Sequence, residues 1–171
     1  DPLDRFVDGC RNAGPRAGRT RVVAVDGPSG SGKTTLAPHL ADRFGGCPVV
    51  RMDAIHPGWD GLDDAVPRLV EWVLEPLAAG RGARYRRFDW DRGAYAEWHE
   101  VPDSPFLVVE GVGCGLFGSH TPWVDAVSAV VADLGQAGAE HLDTVQGRDR
   151  GEHAPFVHQG PHVAEEEREQ Q

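Results

Sequence analysis

The sequence predicts an α/β protein of three layers, a mostly parallel sheet with helices on both faces. Three observations lead there. Short runs such as "RVVAVD" (21–26) and "PFLVVEG" (105–111) are continuously apolar and rich in β-branched residues, the pattern of strands buried on both sides. Stretches with helical spacing separate such runs, so successive strands are expected to lie parallel with crossover helices between them. A glycine-rich segment, "DGPSGSGKTT" (26–35), joins the first strand to the helix that follows it. A length of 171 residues suits one domain with a sizeable core.

Residues 1–20 read as an N-terminal extension, with a short helix around Leu3 to Val7 and then a linker. After the strand at 21–26, a helix is expected from about Lys33 to Phe44. Pro38 lies inside it, where a proline can cost about 3 kcal/mol and kink the axis. "CPVVRMD" (47–53) is a second short strand. In "LDDAVPRLVEWVLEPLAAG" the residues Leu62, Val66, Leu69, Val70, Val73 and Leu77 fall on one helical face. Asp63 or Asp64 caps that helix, Pro76 bends its last turn and Gly80 ends it. "RYRRFDWDRGAYAEW" (84–98) alternates around Asp91-Arg92-Gly93 and predicts a hairpin. The run at 105–111 is a third strand of the main sheet and "DAVSAVVAD" (125–133) a fourth. A helix is expected from about Gln136 to Gln146. The remaining residues are polar, rich in histidine and finally acidic, with no apolar run for a fifth strand.

Charge and cysteine usage narrow the function classes. A net charge of −10 opposes binding to nucleic acid, whose phosphates would be repelled. No run of about 18 apolar residues exists, and the N-terminal stretch has no signal-peptide core, so neither a membrane span nor export is expected. The three cysteines Cys10, Cys47 and Cys114 lie far apart and form no CxxC pair, which predicts reduced thiols and a cytoplasmic protein. His153, His158 and His162 lack a compact ligand spacing and read as surface residues.

The glycine-rich segment carries the chemistry. Gly27-Pro28-Ser29-Gly30-Ser31-Gly32-Lys33-Thr34 fits G-x-x-x-x-G-K-[ST], the phosphate-binding P-loop, with Thr35 next in the helix. Its glycines let successive N–H groups converge on a phosphate, and the helix adds its positive N-terminal end. Lys33 is the one lysine among 17 basic residues. A mobile ammonium can reach the β- and γ-phosphates of ATP as a point charge, a task less suited to a planar guanidinium. The Thr34 hydroxyl would be a ligand of Mg²⁺. The expected architecture is therefore the P-loop NTPase/kinase fold.

Topology brings two acids to the same place. In open α/β sheets, ligands bind beyond the carboxyl ends of the strands. Asp53 ends the second strand and Glu110 the third, while the P-loop ends the first. Glu110 stands where an acid after an apolar strand would hold Mg²⁺, through water, or orient groups around the γ-phosphate. Asp53 is placed to accept a proton from an attacking hydroxyl.

On "DGPSGSGKTT", "RMDAIHPGWDGL", "EWVLEPLAAGR", "RYRRFDW" and "LVVEGVG", in this order, the chain resembles the uridine kinase and phosphoribulokinase group of P-loop kinases. The resemblance covers roughly residues 20–115, and more weakly extends to about 158. It implies a kinase domain over 21–160 with a lid at about 146–158, followed by an acidic tail at 161–171. It implies ATP and Mg²⁺ as cofactors and a nucleoside, uridine or cytidine, as the small-molecule acceptor. Asp53 matches the acid that serves as base toward the ribose 5′-hydroxyl. The aromatic pair that follows this acid in uridine kinases is replaced here by Ala54-Ile55-His56, so His56 enters the acceptor site. Phe88-Asp89-Trp90 resembles the Tyr-Asp-Phe segment near the acceptor, which makes Asp89 a substrate contact, with Tyr85, Arg84, Arg86 and Arg87 shaping the pocket. Arg148 and Arg150 match the lid arginines that clamp donor phosphates. Members of the group continue with a fifth strand and a last helix beside the adenine, which are not legible here. Two other readings stay open: a nucleotide-binding module or ATPase without metabolite kinase activity, and a kinase of a non-nucleoside acceptor. Self-association into a homo-oligomer is left open as well.

Overall fold

The computed structural model describes residues 2–12, 14–15, 17–26, 32–58, 62–111, 128–131 and 142–145. The first elements are helix α1 (Pro2–Asn12), strand β1 (Arg21–Asp26), helix α2 (Lys33–Arg43), strand β2 (Val49–Arg51) and a 3-10 turn (Met52–Ala54). Helix α3 (Leu62–Leu69) then passes through a π-turn (Val70–Leu74) into α4 (Glu75–Ala78). Strands β3 (Ala83–Asp89), β4 (Ala94–Val101), β5 (Phe106–Glu110), β6 (Ser128–Val131) and β7 (Leu142–Val145) complete the order.

The main sheet runs β2-β5-β1-β6-β7, and β3-β4 form a separate hairpin. Strand β5 lies parallel between β1 and β2, with both Val25 and Arg51 in register with Glu110. Side-chain alternation along β1 and β5 divides the core in two. Val22, Ala24, Leu107 and Val109 pack with Val50, Leu69, Val73 and Leu77 on the α3–α4 side. Val23, Val25, Phe106 and Val108 pack with Phe6, Val7 and Leu40 on the α1–α2 side. Because both faces are covered, β1 and β5 read as unbroken apolar runs.

Helix α1 is longer than the Leu3–Val7 helix read from the sequence. Its third turn exists because Cys10 is buried beside Phe6 and Val7, so the helix is held by tertiary packing. An Arg43–Asp4 ion pair and a 2.6 Å bond from Arg11 Nη2 to the Arg43 carbonyl tie α1 to α2.

Two expectations need correction. The stretch Gln136–Gln146, read as a helix, contains strand β7, which pairs antiparallel with β6 from Ser128↔Val145 to Val131↔Leu142. A fifth strand is thus present, as an antiparallel edge. Four residues carry little periodicity of their own, and the open edge of β6 supplies the hydrogen bonds that select the extended form. Strand β2 also stops at Arg51, and Met52–Ala54 form the 3-10 turn in place of two more ladder positions.

The α3–α4 run places Leu69, Val73, Leu74 and Leu77 in the core as its spacing predicts. Its π-turn was not legible. Pro76 supplies no N–H and its ring crowds the carbonyl four residues back. Widening the turn ahead of it lets the helix continue with that missing donor.

Gly111 follows β5 with φ +145°, donates its N–H to the Val25 carbonyl at 3.1 Å, and packs directly on Met52. A Cβ there would lie 2.6 Å from Met52 Cβ. Gly111→Ala is therefore expected to destabilise the protein by about 2–4 kcal/mol, from overpacking plus backbone strain. A lowered urea midpoint with unchanged m-value is the outcome to look for.

Cys10 and Cys47 are free and buried. Burial, opposed by weaker backbone hydrogen bonds, pushes their thiols up to about 12 and about 11. The thiolate is the reactive form, so iodoacetamide at pH 8 should label both at least ~100-fold more slowly in native than in urea-unfolded protein. Peptide mass spectrometry reads each site separately. Cys114 lies outside the described residues.

Candidate active site

Three strand ends assemble the site. Strand β1 delivers the chain to the glycine-rich segment, of which Gly27–Ser31 lie outside the described residues. Gly32 caps α2 with φ +92°, a backbone region open to glycine. Its carbonyl accepts from the N–H groups of Thr35 and Leu36 at 3.1 and 3.0 Å, which starts the helix. No acidic residue occupies the first turn of α2, so the positive helix end is not cancelled locally. Lys33 lies in that turn and is only 7 % exposed. Thr34 and Thr35 are exposed beside it.

Glu110 ends β5 and is 3 % exposed. Burial pushes its carboxyl above the usual range; Arg51 opposes the rise, Asp53 adds to it, and Lys33 also opposes it. The four charges therefore share one electrostatic neighbourhood at the carboxyl edge of the sheet. The Arg51 Nε lies 3.7 Å from Glu110 Oε1.

Asp53 sits in the 3-10 turn after β2 with its side chain exposed. The hairpin fixes this segment through main-chain oxygens. Trp90 Nε1 donates to the Asp53 carbonyl and the Tyr95 hydroxyl to the Ile55 carbonyl, both at 2.9 Å. His56 is buried, its N–H donating to the Met52 carbonyl at 3.0 Å. It is packed in the protein and offers little surface to a ligand.

The hairpin spans Ala83 to Val101, a little longer than read from the sequence, with an irregular register between Arg86 and Phe88. Trp72 of the π-turn contacts Tyr95 and Trp98 edge-on at 5.4 Å, which docks the hairpin on the helices. Tyr85 stacks on His99 at 5.5 Å. Burial pushes the Tyr85 hydroxyl up, opposed by the nearby Arg51 charge. His99 meets Glu97, and Arg87 donates to both Glu97 oxygens at 2.7 and 3.1 Å. Asp89 Oδ1 accepts from the N–H groups of Asp91 and Arg92, so this carboxylate closes the hairpin turn. Its Oδ2 has only longer approaches to Arg87 and Arg92, at 3.7 and 3.9 Å.

The structure thus brings Lys33, Glu110 and Asp53 to one edge, with Tyr85 beside Arg51. It places Asp89 at the turn and His56 in the interior. Arg148 and Arg150 lie outside the described residues. Sequence reasoning passed over Arg51. The signal available was its place as the last residue of a strand, two before Asp53.

Among the described residues no group of three or more His, Cys, Asp or Glu is arranged to hold a metal ion. A hydroxyl at Thr34 and one carboxylate at Glu110 form a hard, oxygen-only donor set. Such a set fits a Mg²⁺ that takes its other ligands from phosphates and water.

No family model and no curated protein matches the chain. Among solved structures it is similar to one described as a possible uridine kinase from Bacillus stearothermophilus. The two are 22 % identical, the match covers 76 % of this chain and 79 % of that chain, and the TM-score is 0.51. At this identity the likeness shows the fold. The chain shares an α/β fold with that structure, with an open, mostly parallel sheet flanked by helices.

Proposed function

We infer that the protein transfers the γ-phosphoryl group of ATP to a hydroxyl of a small molecule, with a nucleoside such as uridine or cytidine as the leading acceptor. The observation that carries this reading is the placement of Lys33 at the start of α2, Glu110 at the end of β5 and Asp53 in the turn after β2, on the same edge of the sheet. A kinase needs a phosphate cation, a metal-side carboxylate and a base within one cleft. The name of the structural neighbour supports the nucleoside.

In this reading the P-loop amides and Lys33 hold the triphosphate. Thr34 and Glu110 would hold Mg²⁺, which would supply positive charge against the phosphates. Asp53, exposed in the turn after β2, takes the proton of the acceptor hydroxyl as its oxygen attacks the γ-phosphorus, and the bond from that phosphorus to the β–γ bridging oxygen breaks to release ADP. Lys33, joined by Arg148 and Arg150 from a lid, stabilises the charge on the transferring group. Tyr85 and Asp89 would line the acceptor side. No helix among the described residues is long and apolar enough to cross a membrane, and a cytoplasmic enzyme working on soluble metabolites is the setting we favour.

A second reading is a nucleotide-binding module without metabolite kinase activity. It is favoured by burial of His56 in the segment where uridine kinases carry an aromatic pair. Incubating the protein with ATP, Mg²⁺ and a panel of nucleosides and other hydroxyl compounds separates the two. Acceptor-stimulated ADP release supports the kinase. Tight nucleotide binding with no acceptor-stimulated release supports the module.

A further inference from the structure

We propose that a cavity at the open base of the hairpin binds a small monocarboxylate with a short apolar body, its carboxylate held by Arg81 with Arg19 beside it. The site lies away from the candidate active site, and it stands or falls independently of the kinase reading.

The cavity sits at the edge of the sheet opposite Asp53 and Glu110. It has a volume of about 160 Å³ and is bordered by Thr20, just before β1, and by Leu77 of α4. Ala83 and Val101, the pair that begins the hairpin ladder, border it as well. Strands β1 and β5 run parallel from this edge toward Glu110. The six residues of β1, at about 3.3 Å each, put roughly 20 Å between the two edges.

Backbone geometry leaves Arg81 unoccupied there. Helix α4 closes with the Gly80 N–H donating to the Leu77 carbonyl at 3.0 Å and the Arg81 N–H to the Pro76 carbonyl at 2.8 Å. Gly80, with φ +70°, permits this reversal. These helix-end carbonyls therefore have main-chain donors and do not require the guanidinium. Among the described residues that guanidinium makes no hydrogen bond or ion pair. Gly82 also lines the cavity, and a Cβ there would meet nothing within 4 Å, so there is open space next to Arg81.

The lining selects the ligand. Arg81 and Arg19 face one carboxylate, Asp103, which pairs with Arg19. One positive charge is left over, and a monoanion balances it. The Thr20 hydroxyl is committed to the Ser104 carbonyl at 3.0 Å. Leu77, Ala83 and Val101 supply an apolar wall. A planar carboxylate matches a guanidinium fork, and an apolar body gains by leaving water. A cavity of about 150 Å³ can accept benzene, so a body of roughly six carbons fits, with the carboxylate at the arginines.

The test titrates benzoate, benzamide and inorganic phosphate into the isotope-labelled full chain at matched ionic strength and reads amide shifts by NMR. Benzoate is expected to shift the amides of Gly80, Gly82 and Ala83 saturably, with a Kd of about 1 mM. Benzamide should bind about 10-fold more weakly, as loss of a charged hydrogen bond implies. Phosphate, which has no apolar body, should also bind more weakly than benzoate. Arg81→Gln should bring benzoate down to the level of benzamide. Gly82→Leu keeps both guanidiniums but fills the cavity, and should abolish the shifts while the rest of the spectrum stays native-like. Benzamide or phosphate binding as tightly as benzoate overturns the proposal. Benzoate binding that survives either substitution overturns it too, as does the absence of a saturable shift at about 20 mM benzoate.

Discussion

Lys33→Ala is expected to fold normally and to lose nucleotide chemistry. The affinity for magnesium-ATP should fall about 10- to 100-fold, the worth of a charged hydrogen bond to phosphate. Turnover should fall by a further ~100- to 1000-fold, because the same ammonium acts more strongly on charge developing in the transition state. Position explains the size of both effects. Lys33 is 7 % exposed in the first turn of a helix whose first turn carries no acid, so water screens it little. Lys33→Arg should not rescue either quantity, since a planar fork cannot replace a compact point charge in that turn. Calorimetry with magnesium-ATP, together with a far-UV spectrum showing intact secondary structure, checks the claim. Heat of binding in Lys33→Ala equal to that of wild type would refute it.

Asp53→Asn is expected to separate binding from chemistry. Nucleotide affinity should hold close to wild type, while acceptor-dependent turnover drops about 100- to 10 000-fold, the range for loss of a general base. The substitution isolates proton transfer because it changes one exposed side-chain atom. The main-chain carbonyl of Asp53, on which Trp90 anchors the hairpin, is untouched. Stopped assays that follow ADP with and without acceptor provide the measurement. A turnover insensitive to the substitution would remove Asp53 from the mechanism.

Residues settled by local pattern were legible in the sequence. The run at 21–26 and the run ending at Glu110 could be read because each strand is buried on both faces, so burial is written into every residue. The placement of Lys33 at the start of α2 and of Glu110 at the end of β5 followed from motif and topology, while Asp53 lies in the turn just past β2. What stayed hidden depends on partners distant in the chain. Strand β7 needs the edge of β6, and the third turn of α1 needs a core for Cys10. The position of Arg51 opposite Glu110 emerges only from the strand register. His56 looked like an acceptor contact by position, but its burial was decided by packing that the sequence does not display. Asp89 was found as part of a hairpin, yet its hydrogen bonds to the turn appear only with the backbone in hand.

Burial of Glu110 has its own cost. A carboxyl pushed upward by its surroundings is one whose charge the folded protein disfavours. A cation placed beside Glu110 would relieve that cost.

The hairpin is fastened to the Asp53 segment through the carbonyls of Asp53 and Ile55. Every amino acid has such an oxygen, so the exposed side chain at 53 can change without unmooring the hairpin, whereas Ile55 is also held by the core. The clamp thus tolerates a change of side chain at position 53 that a side-chain anchor would not.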